Sequence, residues 1–374
     1  MTARDILAAE RPRKLLAIDG GGIRGAVSIE VLDRIEQLAR QAYGEPNLVL
    51  ADCFDYIAGT STGAIIAAGL AIGRPVAEIR DLYEHSGPLM FSPARLRDLL
   101  HFRYSDEPLA RVLKEKLGAD TTLGSDLVRT LLLIVLCDAT TNSPWPVSNN
   151  PRARFNQADS PTCNLQFPLW QLVRASTAAP LFFPPEVITI GGCNHVFVDG
   201  SISPYSNPAF QLFLMSTLEA YRLCWPPGED RMLLVSVGAG VVPHARPDLS
   251  PHDMNLLYQA TTVPQELLAG SIVEQDLLCR VFGQCRHGAL IDSEVGDLIA
   301  SQGPVQPKLF SYVRYDMELS RRTLDREGLA HIDAQRLRHP DAVDAIPEFQ
   351  EIGRALARSV KPEHFAGFFG LPQR

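Results

Sequence analysis

Long apolar runs are missing from this chain. No stretch approaches the ~20 consecutive apolar residues that cross a bilayer as a helix, so any action on lipid would have to come from the surface. Cysteine is sparse and unpatterned. The seven, at 53, 137, 163, 193, 224, 279 and 285, include no C-x-x-C pair. That argues against a disulfide framework and a structural zinc site, and points to a reduced, intracellular setting. Positive charge is not in excess either. The formal net charge is −8, which excludes a chain built to coat a nucleic acid polymer and gives no basis for strong attraction to anionic membranes without a local basic patch. The stretch Met1 to Lys14 is polar and has no apolar core of the secretory kind, so a cytoplasmic protein is expected, with only peripheral access to membrane lipid if it acts on lipid at all. No repeat, low-complexity tract, clear linker or EF-hand calcium loop stands out.

What is present is ordinary globular composition. The chain has 374 residues, 46% apolar and 21% charged, enough for one large α/β domain or two smaller ones. With no evident linker, one domain is expected.

The organising stretch is Gly59-Thr60-Ser61-Thr62-Gly63. It follows the extended run Phe54–Ala58 and precedes a small-residue helix reaching about Ile72. Strand, tight turn and helix form the context of a G-x-S-x-G nucleophile elbow. Glycine at both flanks removes the Cβ atoms that would crowd so sharp a turn. A bare match is equally compatible with an ordinary strand-to-helix turn.

Upstream, Lys14–Ile18 reads as a buried strand. Asp19-Gly20-Gly21-Gly22-Ile23-Arg24-Gly25 follows, then a helix from about Ala26 to Tyr43. This order makes a cradle of backbone N–H groups for negative charge. One reading is a dinucleotide loop, G-x-G-x-x-G, with Asp52 as the ribose-binding acid. That would suit an oxidoreductase. The other is an oxyanion hole. Taken alone the loop favours nucleotide binding. The Ser61 elbow reverses that order, because acyl transfer needs both features and a dinucleotide fold has no use for an exposed serine.

A serine hydroxyl needs a base. None of the nine histidines (85, 101, 195, 244, 252, 287, 331, 339 and 364) sits in a glycine-bracketed loop at a strand end. Two carboxylates do end strands. Asp138 closes the aliphatic run Leu131–Leu136, and Asp199 closes His195–Val198. Gly200 permits close approach beside Asp199 and favours it.

Elsewhere, helices are expected from Pro75 to about His85, over Ser105–Leu117, Pro168–Thr177 and Pro347–Val360. Strands are expected over Val187–Ile190, Arg231–Val237 and Phe310–Tyr315. Gly87–Pro93 reads as an apolar loop, either a lipid-contacting rim or a loop folded on the core. Residues 140–162 read as a long loop, and 241–304 give mixed signals.

Four strings in this order and spacing resemble those of bacterial patatin-like phospholipases: Asp19–Gly25, Gly59–Gly63, Ala175-Ser176-Thr177-Ala178-Ala179-Pro180, and Asp199-Gly200. The likeness covers about Lys14 to Gly240, with a looser one around Arg314-Tyr315 and Leu324-Asp325. It implies a three-layer α/β/α fold with a central, mostly parallel sheet. The catalytic core would span 14–240. Residues 241–374 would continue the same domain, with 241–304 as a variable or regulatory insertion. It also implies a serine lipid acyl hydrolase of phospholipase A type that works without histidine. Ser61 is then the nucleophile, Asp199 the base, and Gly20, Gly21 and Gly22 the oxyanion hole. Arg24 contacts lipid phosphate or supports the loop. No cofactor or metal is implied. A homodimer, a small-molecule activator and a silent or gated family member stay open. Where family members often read Asp-Gly-Gly or Asp-Gly-Ala, this chain has Asp199-Gly200-Ser201. Leu89-Met90-Phe91 and Leu181-Phe182-Phe183 are expected to border the acyl channel.

Overall fold

A computed structural model describes residues 3–93, 102–243 and 249–371. Its centre is a nine-stranded sheet: β1 Arg13–Ile18, β2 Tyr56–Thr60, β3 Leu131–Asp138, β4 Ser143–Ser148, β5 Glu186–Ile190, β6 Cys193–Asp199, β7 Met232–Val237, β8 Gln284–His287 and β9 Ser311–Tyr315. The order is β5-β6-β3-β2-β1-β7-β9-β8, with β4 paired to β3 off this path. From β3 to β8 the pairings along this path are parallel, and β4, β5 and β6 join antiparallel.

The central strands are apolar at nearly every position because both faces are covered. Alternate residues of β1 divide between two cores. Leu16 and Ile18 pack with the helices Gly25–Tyr43, Thr62–Ala71 and Ile346–Ala357. Leu15 and Ala17 pack with the helix Ala209–Thr217 and with Cys279 of the long helix Leu256–Phe282. The result is the α/β/α sandwich that the resemblance implies.

The register explains how the ends of two distant strands meet. β2 runs along one edge of β3 as far as the Thr60–Val135 pair. β4 occupies the opposite edge over 133–138. β6 therefore takes over the first edge where β2 stops, with Asp199 opposite Leu136. The two strands converge end to end on β3, and the residues at their tips are brought together.

Several expectations change. Residues 140–162 are not all loop, because β4 lies within them. Its Pro144 and Pro146 hide the strand from pattern reading, and they are tolerated at a position with one free edge. The strand after Phe54 starts at Tyr56 and is preceded by a short helix, Leu50–Cys53. The helix expected to stop near His85 runs Val76–Met90, so Gly87–Met90 is its last turn and not a loop. The unreadable 241–304 region holds the 27-residue helix Leu256–Phe282 and the outermost strand β8.

Candidate active site

Ser61 sits at φ 55°, ψ −127° between the end of β2 and the helix Thr62–Ala71. Positive φ at a non-glycine residue stores strain that the surroundings must hold. The flanking glycines show why the elbow requires them. A Cβ on Gly59 would collide with the carbonyl of Gly63, and one on Gly63 would lie 2.5 Å from the carbonyl oxygens of Ile18 and Asp19. The N–H of Ser61 donates to Ser176 Oγ at 2.9 Å, and Ser176 Oγ donates to the Val135 carbonyl at 2.6 Å.

Ser61 Oγ donates to Asp199 Oδ2 at 2.6 Å. The other carboxylate oxygen of Asp199 accepts from Ser201 N at 2.7 Å, and its own N–H donates to the Ala178 carbonyl at 3.0 Å. The turn that follows is a 3-10 turn, Gly200–Ile202. A Cβ on Gly200 would strike the carbonyl of Val135, so this glycine is what lets the acid approach β3. Burial pushes the Asp199 carboxyl up to about 6, against the bonds from Ser61 and Ser201 that pull it down. A carboxylate poised there can accept a proton near neutral pH.

Both groups line a cavity of about 870 Å³ whose exposed lining is mainly apolar. Met90, Phe91, Leu181, Phe182 and Phe183 border it, whereas Leu89 lies outside on the surface. Gly20, Gly21, Gly22 and Arg24 border it too. The three glycines are not equivalent. The N–H of Gly20 donates to the Ser206 carbonyl at 2.9 Å, so it is not left to bind an oxyanion. What Gly20 contributes is a missing Cβ, which would lie 3.2 Å from Ser61 Cβ and collide with Ser201. Among the described residues, neither Gly21 nor Gly22 donates its N–H to a protein acceptor.

Arg24 Nε donates to the Gly21 carbonyl at 3.2 Å. Burial lowers its pKa, partly offset by the Asp316 carboxylate. Among the described residues no carboxylate forms an ion pair with it, so the guanidinium both braces the loop and keeps capacity for an anion.

Asp138, the other candidate acid, is engaged elsewhere. Its carboxylate pairs with His195 Nδ1 at 2.7 Å and accepts from Thr140 N at 2.9 Å. Burial opposes its charge, but these bonds hold it below the usual carboxylate range. Neither Asp138 nor His195 lines the cavity. His339 does, without a hydrogen bond to Ser61 or Asp199. His101 and His244 lie outside the described residues.

Asp52, the acid of the dinucleotide reading, lies in the helix before β2, at the opposite end of the strands from the glycine loop. It caps Val49 N and pairs with Arg129. What the sequence does not reveal is the contact beneath the glycine loop between Asp19 and Arg314. Arg314 Nη1 and Nη2 grip Asp19 at 2.9 and 2.6 Å, and Arg314 also reaches Asp316 at 2.5 Å and Ser236 Oγ at 2.7 Å. Burial pushes Asp19 up and Arg314 draws it back, while the two carboxylates hold the guanidinium firmly charged.

A family model described as patatin-like phospholipase matches residues 16–213. The chain belongs to the patatin-like phospholipase family. Patatin-17 of Solanum cardiophyllum is 32% identical over 243 residues, and a patatin of Solanum tuberosum is 31% identical over 244. Each alignment covers 60% of this chain and 60% of the relative, so the chain spans well under two thirds of the length of these curated relatives. VipD from Legionella pneumophila aligns over 92% of this chain and 67% of its own, at 15% identity and a TM-score of 0.38.

Proposed function

We propose that this patatin-like protein is a serine lipid acyl hydrolase of phospholipase A type, working through a Ser61–Asp199 dyad. The observation that carries it is the 2.6 Å bond between Ser61 Oγ and Asp199 Oδ2 inside an apolar cavity. Ser61 Oγ attacks the acyl carbonyl while its proton passes to Asp199. The tetrahedral oxyanion is held by the N–H groups of Gly21 and Gly22, with Gly20 keeping the space clear. Collapse expels the alcohol, which takes the proton back from Asp199. Water then attacks the acyl-enzyme, Asp199 accepting its proton, and the fatty acid leaves as Ser61 is restored. Arg24 supplies a cation for a lipid phosphate. The apolar lining, with Phe182 and Phe183, takes the acyl chain.

The test is release of free fatty acid from mixed phospholipid vesicles and hydrolysis of a short-chain nitrophenyl ester. Wild type turns over both, and Ser61→Ala turns over neither. Activity that survives in Ser61→Ala contradicts the assignment. A gated family member has its own signature: wild type silent on both substrates while Ser61 still reacts with a fluorophosphonate. A homodimer or an activating small molecule would then be the trigger to seek.

A further inference from the structure

Gly20, Gly21 and Gly22 are the least restrained backbone a chain can offer, yet donors that stabilise an oxyanion must be fixed before the reaction begins. The restraint on this loop comes from the far end of the chain. The N–H of Ile23 donates to the Pro340 carbonyl at 2.8 Å. Gly22, at φ 62°, lies so close to Pro340 that a Cβ there would be 2.2 Å from the same carbonyl oxygen. Bond and contact together hold the φ of Gly22, which sets where its N–H points. The next residue, Asp341, has a side chain only 6% exposed. Its Oδ2 accepts from Tyr104 Oη at 2.6 Å and pairs with Arg103 Nη1 at 2.8 Å. The N–H groups of Arg103 and Tyr104 donate in turn to the carbonyls of Leu181 and Phe182, at 3.0 and 2.8 Å. The Tyr104 ring packs against Phe91 and Phe183, with centroids 5.4 and 5.6 Å away. One carboxylate thus ties the segment on the glycine loop to the cavity wall that carries Phe182 and Phe183. Of its two partners, Tyr104 is buried, whereas the Arg103 side chain is 61% exposed and its pairing is weakened by solvent. The Tyr104 bond is the one that holds.

We propose that Asp341 is a positioning residue for acyl transfer: through Tyr104 it fixes Pro340, and through Pro340 it fixes the N–H groups of Gly21 and Gly22 that receive the oxyanion. The proposal rests on the acyl-hydrolase reading and on the role of those two glycines in it. Asp341 acts only through the loop and touches no reacting atom. A hole built from glycine is preorganised by what packs on it, and here that support is Pro340 with Asp341 behind it. Loosening the support weakens an interaction made only in the transition state, so it lowers kcat and kcat/KM alike and leaves KM in place.

Kinetics on the short nitrophenyl ester test this in the full-length protein. Asp341→Ala lowers kcat at least about tenfold, with KM within about twofold. An alkyl trifluoromethyl ketone, whose adduct with Ser61 places an oxyanion in the same hole, binds more weakly in proportion to the fall in kcat. Tyr104→Phe gives the same two losses, and combining it with Asp341→Ala adds nothing, because both changes break one bond. Asp341→Asn keeps an acceptor for Tyr104 and restores most of the rate. Amide hydrogen exchange over Asp19–Arg24 needs no turnover, and it rises at least about tenfold in Asp341→Ala. A ketone affinity that tracks KM and not kcat, a Tyr104→Phe protein with the wild-type rate, or unchanged exchange overturns the proposal. Ester hydrolysis that survives in Ser61→Ala would instead count against the acyl-hydrolase reading, while raised exchange in Asp341→Ala would leave the hold of Asp341 on the loop standing.

Discussion

Ser176 lies 115 residues from Ser61 in sequence, yet its hydroxyl accepts the N–H of Ser61 at 2.9 Å. By donating onward to Val135, it ties the strained elbow to β3, the strand on which the tips of β2 and β6 converge. Ser61 and Asp199 are thus referred to one backbone.

Ser176→Ala removes that tie and leaves two buried backbone groups unpaired. The loss of about 1–3 kcal/mol corresponds to a fall of roughly 10- to 100-fold in kcat. Ser176→Thr keeps the hydroxyl and restores most of the rate. Equal defects in both variants would indicate a packing role only. Steady-state kinetics on a soluble ester decide.

Arg314 is the cation of a buried cluster, serving Asp19 at the start of the glycine loop and Asp316 at the cavity wall. Arg314→Met leaves the buried Asp19 carboxylate without its ion partner, and leaves the half-buried Asp316 with only the N–H groups of Gly240 and Met317, at a cost of about 3–5 kcal/mol of stability. Adding Asp19→Asn to that variant returns part of the loss. Urea unfolding measures both. A loss under 1 kcal/mol would show that the cluster does not hold the loop.

With Asp199 proposed as the base, a pH dependence of ester hydrolysis follows. The base works only when ionised, and burial pushes its carboxyl up to about 6. The account therefore predicts a kcat/KM that rises with pH to a plateau, with its midpoint near 6. A limb centred below 4.5 would place the base in a more solvated site.

The same shift carries a stability consequence. A carboxyl raised in the folded state above its unfolded value favours the fold while protonated. That contribution is present at low pH and is lost as pH climbs through the folded pKa of about 6. Asp199→Asn mimics the protonated form, so it stabilises the protein at pH 8 by up to about 3 kcal/mol and much less at pH 4.5. Thermal unfolding at the two values tests this, and an equal shift at both would contradict it.

The proximity of Ser61 and Asp199 was in good part legible in the sequence. Gly59 and Gly63 report a steric requirement of the elbow, and Asp199 announces itself by ending a strand ahead of a glycine. The aliphatic runs of β1, β3 and β7 are readable because strands covered on both faces have no polar alternation to obscure them. The parts that stayed hidden depend on distant contacts. Ser176 sits in the Ala175–Pro180 string, but its bond to Ser61 exists only after folding. Arg314 gains its role from Asp19, some three hundred residues away. Gly20 looks identical to Gly21 until the Ser206 carbonyl takes its N–H. Pro144, Pro146 and Pro264 suppress the local signals of β4 and the long helix, and tertiary pairing overrides them.

The central claim is that a carboxylate alone, with no histidine, activates Ser61. The most direct measurement is the initial rate on the short nitrophenyl ester for wild type, Asp199→Asn, Asp138→Asn and His339→Asn, each checked for folding by circular dichroism. The account predicts a loss of at least 10³-fold in Asp199→Asn alone, with the other two within a few-fold of wild type. A folded Asp199→Asn that keeps its rate, or a folded His339→Asn that loses its own, would contradict it.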